Sequence, residues 1–395
     1  MPMTIGLAGK PNAGKSTFFK AATMADVEIA NYPFTTISAN RGITYVRTTC
    51  PCIERDKRCG NCKDGIRFVP IEMIDVAGLV PDAHKGRGLG NAFLDDLRQA
   101  QAIIHVIDAS GSTDIEGNPV DVGSHDPLDD VEFLNREITM WMNGILKRNW
   151  EKLMRKIKAE GLKAEHVIAE QLMGAGVSEV QAHEALMHCK LFSECSTWTD
   201  EEMLKLCDEI RTISKPTIIA ANKIDIASSD NIKRLNALDM IVVPTSAAAE
   251  LALRTAATSG IIRYDPGDPD FTVISEELTD AQRKGLENIH HLMEQTQPSG
   301  CGIQECINQA VFDLLDLIVV YPVEDEGKWM DKNDRMLPDA YLMKRGASAH
   351  DLAYRVHSDI GDRFLYAVNA RTKMRLGEKH ELEDGDVIKI VSSAK

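Results

Sequence analysis

Gly9-Lys10-Pro11-Asn12-Ala13-Gly14-Lys15-Ser16 has the residue types and spacing of a phosphate cradle, G-x-x-x-x-G-K-S, and it follows directly on the apolar run Met3-Thr4-Ile5-Gly6-Leu7-Ala8. Glycines at both ends let successive backbone N–H groups turn toward phosphate oxygens, and a helix starting near Lys15 adds the positive end of its dipole. In such a loop Lys15 reaches the β- and γ-phosphates and Ser16 ligates Mg2+. The nucleotide-binding residues expected here are Gly9, Pro11, Asn12, Ala13, Gly14, Lys15, Ser16 and Thr17.

This loop serves ATPases, kinases and GTPases alike, so the base must be read from motifs further along the chain. Asp75-Val76-Ala77-Gly78 closes the run Phe68-Val69-Pro70-Ile71-Glu72-Met73-Ile74 as D-x-x-G. Its carboxylate would hold a Mg2+-bound water, and the Gly78 N–H would meet the γ-phosphate. Asn222-Lys223-Ile224-Asp225 follows Pro216-Thr217-Ile218-Ile219-Ala220-Ala221 as N-K-x-D. The Asp225 carboxylate can accept from both N1–H and the exocyclic N2–H of guanine. Adenine offers no such pair and would leave Asp225 buried and unpaired, a mismatch costing on the order of 1–3 kcal/mol. Asn222 would brace the loop, and the Lys223 stem would lie over the base. Thr245-Ser246-Ala247-Ala248 comes after Met240-Ile241-Val242-Val243, where an N–H from the Ser246-Ala247 pair would meet guanine O6, and Ser246, Ala247 and Ala248 are expected to bind the nucleotide. GTP and GDP are therefore the expected ligands. Between these motifs the polar, proline-bearing segment Asn31-Tyr32-Pro33-Phe34-Thr35-Thr36 suits a switch loop. Thr36 is the expected ligand of Mg2+ and the γ-phosphate, with Thr35 as second choice.

These residues resemble those of the Obg-like GTPases, and within them the YchF-type branch in its archaeal and eukaryotic relatives that keep N-K-x-D. The likeness rests on residues 31–36, on Asp75-Val76-Ala77-Gly78-Leu79-Val80 running to His84 and Gly86-Arg87-Gly88-Leu89-Gly90-Asn91, and on the C-terminal segment; it covers nearly the whole chain. Other YchF-type proteins carry glutamate in place of the N-K-x-D aspartate and favour ATP, whereas Asp225 argues for GTP. Leu79 stands near where Ras-like enzymes place a water-orienting glutamine, and a leucine cannot orient water. The resemblance implies the group with a hydrophobic residue there, in which other elements carry catalysis. Asn12 occupies the position that some relatives use to hold K+, and His84 would position the water, unless it is simply a solvated loop histidine. The catalytic residues expected on this reading are Lys15, Thr36, Gly78 and His84, with slow intrinsic turnover that a partner stimulates.

With 395 residues, 44% hydrophobic and 27% charged, the chain has the composition of a globular protein of two or three domains. No apolar run approaches the roughly 20 residues of a membrane span, and Met1-Pro2-Met3-Thr4 leads straight into the first strand, so a cytoplasmic protein is expected. A net charge of −15 argues against coating nucleic acid, but residues 336–395 hold ten Lys/Arg and nine Asp/Glu, a balance of +1 that permits a local RNA-facing patch.

Four of nine cysteines cluster as Cys50-Pro51-Cys52 and Cys59-Gly60-Asn61-Cys62. C-x-C-x6-C-x2-C can converge on one tetrahedral Zn2+; free or redox-sensitive thiols are the alternative. The run interrupts a hairpin between Gly42–Val46 and Ile66–Val69. Cys189, Cys195, Cys207, Cys301 and Cys306 read as ordinary core or surface thiols.

The elements that must position these groups are legible as patterns. Near-continuous apolar runs at 3–8, 68–74, 102–108, 216–221 and 240–243 suit a buried parallel sheet, with His105 as a core residue. From Val131 to Ile157 apolar positions recur three and four apart, predicting a long amphipathic helix, and shorter helical patterns follow at 164–189 and 201–213. The fold expected is α/β: a P-loop NTPase G domain with a mostly parallel sheet and helices on both faces, an inserted helical domain, and a C-terminal β-grasp domain. The expected limits are 1–124 for the first part of the G domain, with its Cys-rich insert at 50–62, then 125–205 for the helical insert, 206–320 for the rest of the G domain and 321–395 for the C-terminal domain. That last segment resembles a TGS domain, a module shared with threonyl-tRNA synthetase. The resemblance implies contact with RNA or the ribosome, through Lys344, Arg345, Arg371, Lys373 and Arg375. Two other readings compete with a GTP-driven switch: an ATPase of the YchF type or a small-molecule kinase, and an RNA-binding factor with little turnover.

Overall fold

A computed structural model describes residues 3–24, 40–55, 57–76, 96–191 and 195–393. In chain order the elements are β1 (Thr4–Ala8), α1 (Lys15–Thr23), β2 (Arg41–Thr49), β3 (Ile66–Asp75), β4 (Ala102–Asp108), α2 (Pro127–Glu160), α3 (Ala164–Leu172), α4 (Glu179–Cys189), α5 (Asp200–Ser214), β5 (Thr217–Asn222), α6 (Ser229–Asn236), β6 (Val242–Pro244), α7 (Ala247–Thr258), β7 (Ile262–Arg263), β8 (Thr272–Val273), α8 (Asp280–Gln295), α9 (Ile303–Gln309), β9 (Leu317–Val323), β10 (Tyr341–Lys344), α10 (Ala349–Val356), α11 (Ser358–Asp362), β11 (Phe364–Asn369), β12 (Arg375–Leu376) and β13 (Val387–Ser392). They form two compact units: the described parts of residues 1–26, 36–44 and 72–306 make up the first, and those of 45–71 and 307–395 the second.

Every residue of β1 and of β4 is buried, while β2 alternates between buried and half-exposed positions along most of its length. The patterns match their places: among the described residues the sheet order is β2-β3-β1-β4-β5-β6, with β1 and β4 central and β2 at one edge. β1 pairs in parallel with β3 and β4, and β4-β5 and β5-β6 are parallel as well. The carboxyl ends of these strands therefore share one edge, where ligands of open α/β sheets bind.

The long helix of the insert is α2. Asp126 caps it by accepting from Leu128 N at 3.1 Å, Pro127 opens its first turn, and Gly161 ends it at φ 64. Leu134, Ile138, Met142 and Leu146, four apart, bury one stripe against Ile168 and Leu172 of α3, Ala185 and Leu186 of α4, and Met203, Leu206 and Ile210 of α5. Each such side chain contributes about 1.5–3 kcal/mol by leaving water. Trp150 and Trp198 stack with centroids 5.6 Å apart beside this core. The cluster also takes in Ala8 and Ile74, so the insert and the strands share one apolar interior. The expected limit at residue 205 falls inside α5, which runs unbroken to Ser214 because Leu206, Cys207 and Ile210 still face that interior.

In the second unit the sheet order is β10-β9-β13-β11-β12. β9 and β13 pair in parallel and the outer pairs are antiparallel. Ile318, Val320, Met343, Leu352, Ala367, Leu376 and Ile388 form its core, with α10 laid on the sheet. Ser348 and Asp351 close a capping box at the start of α10. This is the β-grasp arrangement. The expected boundary at 321 lies within β9, and the cysteine-rich segment belongs to this unit. Among the described residues no helix is long and apolar enough to cross a membrane.

Candidate nucleotide-binding site

β1 delivers the glycine-rich loop and α1 begins where it ends. Gly14 sits at φ 96 as the cap of α1, and a Cβ there would lie 2.1 Å from Asn222 Nδ2. A Cβ on Gly9 would lie 2.4 Å from Val106 O. Only glycine fits these close approaches, and they press the loop onto the ends of β4 and β5.

Asn222, 3% exposed at the end of β5, is the stitch of the site. Its Nδ2 donates to Ala13 O at 2.8 Å, and its Oδ1 accepts from Ala247 N at 3.0 Å. One amide thus ties the phosphate loop to the start of α7. Ser246 caps α7 and donates from Oγ to Asp225 Oδ1 at 3.0 Å, orienting an exposed carboxylate. Lys15 forms an ion pair with Asp75, the carboxylate at the end of β3. Ser16 is exposed in the first turn of α1, and Thr17 half-exposed behind it. The hydroxyl of Ser16 and the carboxylate of Asp75 are hard oxygen donors of the kind Mg2+ takes.

The structure also shows groups that motif reading passed over. Lys223, at φ 63, reaches from Nζ to Asp108 Oδ2 at 2.8 Å and Ser112 Oγ at 3.1 Å. Burial works against the Asp108 charge, yet hydrogen bonds from Lys223, Ser110 and Thr113 outweigh it and hold the carboxyl below its usual pKa. Asn12 Nδ2 donates to Gly117 O at 2.9 Å, and a Cβ on Gly117 would lie 2.5 Å from Pro11 O. Lys10, 3% exposed, donates to Thr113 O at 2.8 Å and pairs with Asp130 Oδ2 at 2.9 Å, while His125 Nε2 lies 2.8 Å from the other Asp130 oxygen. Burial raises the Asp130 carboxyl above its usual pKa despite Lys10 and His125. Residues 108–125 and the first turn of α2 thus rest on the phosphate loop on one side and on Lys223 on the other. A carboxylate ending a near-continuous apolar strand, Asp108 after 102–107, was the one signal of this in the sequence. His105 is 2% exposed, as a core residue should be, and burial with Lys10 nearby pushes its pKa down to about 3.

Thr35, Thr36, Gly78, Leu79 and His84 lie outside the described residues. Cys50, Cys52, Cys59 and Cys62 come together, their sulfurs all within 4.8 Å of one another. The basic residues expected to face RNA already have partners within the chain. Arg371 binds Glu54 through Nε and Nη2, both at 2.8 Å, and Arg345 pairs with Asp316 at 2.6 Å. Arg375 lies 3.7 Å over the Tyr366 ring, Lys373 donates to Glu326 O, and Lys344 to Leu315 O at 3.4 Å.

Residues 4–138 match the family model of the 50S ribosome-binding GTPases, residues 220–325 that of the Obg-like GTPase YGR210-like, G4 motif-containing domain, and residues 333–392 the TGS domain. A protein of Methanocaldococcus jannaschii named as GTP-binding is 50% identical over 99% of each chain. A crystal structure of a GTP binding protein from Pyrococcus horikoshii OT3 shares 43% identity and a TM-score of 0.79, covering 99% of this chain and 100% of that one. The ribosome-binding ATPase YchF of Bacillus subtilis is 28% identical over 98% of each. With the phosphate loop, Asp75 and N-K-x-D gathered at one edge of the sheet, the chain belongs to the YchF/Obg-like GTPase family, in the branch that keeps N-K-x-D, and is a GTP-binding protein with a C-terminal TGS domain.

Proposed function

We propose that the protein hydrolyses GTP to GDP and phosphate and works as a nucleotide-dependent switch on the ribosome or its RNA. The observation that carries the reading is the double hydrogen bond of Asn222, which joins the phosphate-binding and base-binding loops into one site. The backbone N–H groups of residues 12–16 and the α1 N-terminus take the phosphates. Lys15, now paired with Asp75, turns to the β- and γ-phosphates when nucleotide enters. Ser16, Thr36 and Asp75 would hold Mg2+, Asp75 through water, and the ion would supply charge neutralisation at the phosphates.

Asp225 reads guanine N1–H and N2–H, already aimed by Ser246. Ala247 spends its N–H on Asn222 and Ala249 on Ser246 Oγ, which leaves Ala248 in the first turn of α7 to donate to guanine O6. The Gly78 N–H contacts the γ-phosphate, His84 positions the attacking water, and the Asn12 side-chain oxygen would hold a K+ ion, which would supply positive charge beside the phosphates. The TGS domain, through residues such as Arg375 on the Tyr366 ring, contacts RNA. The name of the Bacillus relative supports a ribosomal partner and a cytoplasmic place of action.

Competition of GTP and ATP against a bound fluorescent GDP, followed by co-sedimentation with ribosomes in GDP and in a non-hydrolysable GTP analogue, tests the reading. Tighter binding of GTP and pelleting favoured by the analogue support it. Equal competition by ATP refutes the base assignment, and equal or absent pelleting in both states refutes the switch.

A further inference from the structure

A second chemical cluster lies apart from the nucleotide site, in the segment joining β2 to β3. Cys50 and Cys52 are fully buried, Cys59 and Cys62 half-buried, and none is in a disulfide. Cys50 and Cys59 sulfurs are 3.7 Å apart, Cys52 and Cys62 3.4 Å, and Cys59 and Cys62 3.5 Å. A zinc ion with four thiolates at about 2.3 Å sets tetrahedron edges of about 3.8 Å, whereas disulfides need about 2 Å. The spacing is that of an S4 cage.

The backbone is shaped to the same end. In the turn Cys59-Gly60-Asn61-Cys62, Gly60 takes φ 75 and Asn61 N lies 3.4 Å from Cys59 Sγ. Such amide-to-sulfur bonds disperse thiolate charge in metal sites. Arg67 Nη1, 4.0 Å from the same sulfur, offsets the net negative charge of a four-thiolate site. Nothing apolar replaces the sulfurs as an interior: among the described residues of 53–64 none is buried, and Ile53 is 49% exposed. A loop without a core of its own needs a staple.

This loop also touches the C-terminal domain within the same unit, through polar side chains among others. Glu54 receives Arg371, and Arg55 lies 4.9 Å from the Trp329 ring and donates to Gly327 O at 2.6 Å. Asn61 reaches Met336 O at 3.3 Å and Arg67 reaches Pro338 O at 3.0 Å. Ordering such side chains is entropically costly, so the contacts hold only where the loop is already in shape.

We propose that Cys50, Cys52, Cys59 and Cys62 bind one zinc ion as a closed structural site, and that the ion presets the loop for docking on the TGS domain. The site is independent of which nucleotide the chain binds. Its test is elemental analysis of full-length protein purified without chelators, with thiol titration and non-reducing mass spectrometry. One zinc per chain, released as a mercurial titrates four thiols, is expected; metal-free protein, or a disulfide within the cluster, overturns the site. Refolding with Co2+ should give the charge-transfer bands of tetrahedral thiolate cobalt, and their absence likewise overturns it. In the Cys59→Ser/Cys62→Ser variant, retained nucleotide binding reports that the chain has folded. Loss of zinc with new proteolytic cleavage inside residues 50–67 is then expected, and an unchanged cleavage pattern in the zinc-free variant overturns the docking role.

Discussion

Asn222→Ala removes both hydrogen bonds of the side chain that joins the two halves of the nucleotide site. Ala13 C=O and Ala247 N–H, met at 2.8 and 3.0 Å, lose their partner together. A buried backbone group left unsatisfied costs about 1–3 kcal/mol; at 3% exposure little water replaces the amide, so about 2–4 kcal/mol of stability should go. Because both loops loosen, GTP and GDP should weaken by the same factor, about 10- to 100-fold, which is about 1.4–2.7 kcal/mol. Asn222→Asp is the more discriminating change. The isosteric carboxylate can still accept from Ala247 N–H but faces the Ala13 carbonyl oxygen with a charge, so it should be at least as damaging. The assays are urea denaturation and calorimetric titration with both nucleotides. The reasoning is refuted if Asn222→Ala stays within about 0.5 kcal/mol of the parent in both, or if Asn222→Asp proves the milder change.

Asp225→Asn should weaken GTP by about 5- to 150-fold, the cost of about 1–3 kcal/mol for mispaired donors, and should gain affinity for xanthosine nucleotides, whose 2-oxo group accepts from the new amide; competition binding reads both. Lys10→Met leaves buried Asp130 with only His125 as a charge partner among the described residues and should cost up to about 3–5 kcal/mol, and Lys10→Met/Asp130→Leu should be more stable than the single variant in denaturant titration. His105 is neutral in the fold, with a pKa near 3 against 6.5 in an open chain. The unfolded state therefore binds the extra proton between those values, and stability falls as pH drops through that window. Between pH 6.5 and 4.5 the parent should lose roughly 2 kcal/mol relative to His105→Leu, at 1.36 kcal/mol per unit once the unfolded histidine is fully protonated; parallel pH profiles would contradict a buried neutral histidine.

The central strands were readable because residues buried on both faces cannot alternate, and β1, β4 and β5 appear as unbroken apolar runs. α2 was readable because its stripe keeps helical spacing over many turns and is bounded by Asp126 and Gly161. The end of the insert was misplaced because α5 keeps its apolar face beyond residue 205, and local pattern alone does not say which core that face serves. β12, of two residues, leaves too little periodicity to be seen.

Residue chemistry by itself pointed to a guanine nucleotide: a G-K-S loop, D-x-x-G and N-K-x-D each work through backbone or side-chain groups whose identity is written in the chain. The tertiary structure alone decided what holds those groups in register. Asn222 meets Ala13 across 209 positions, Lys223 meets Asp108 across 115, and Arg371 meets Glu54 across 317. Such pairs lie far apart in the chain, and a single sequence records each partner's chemistry without recording which distant group the fold will bring within hydrogen-bond reach.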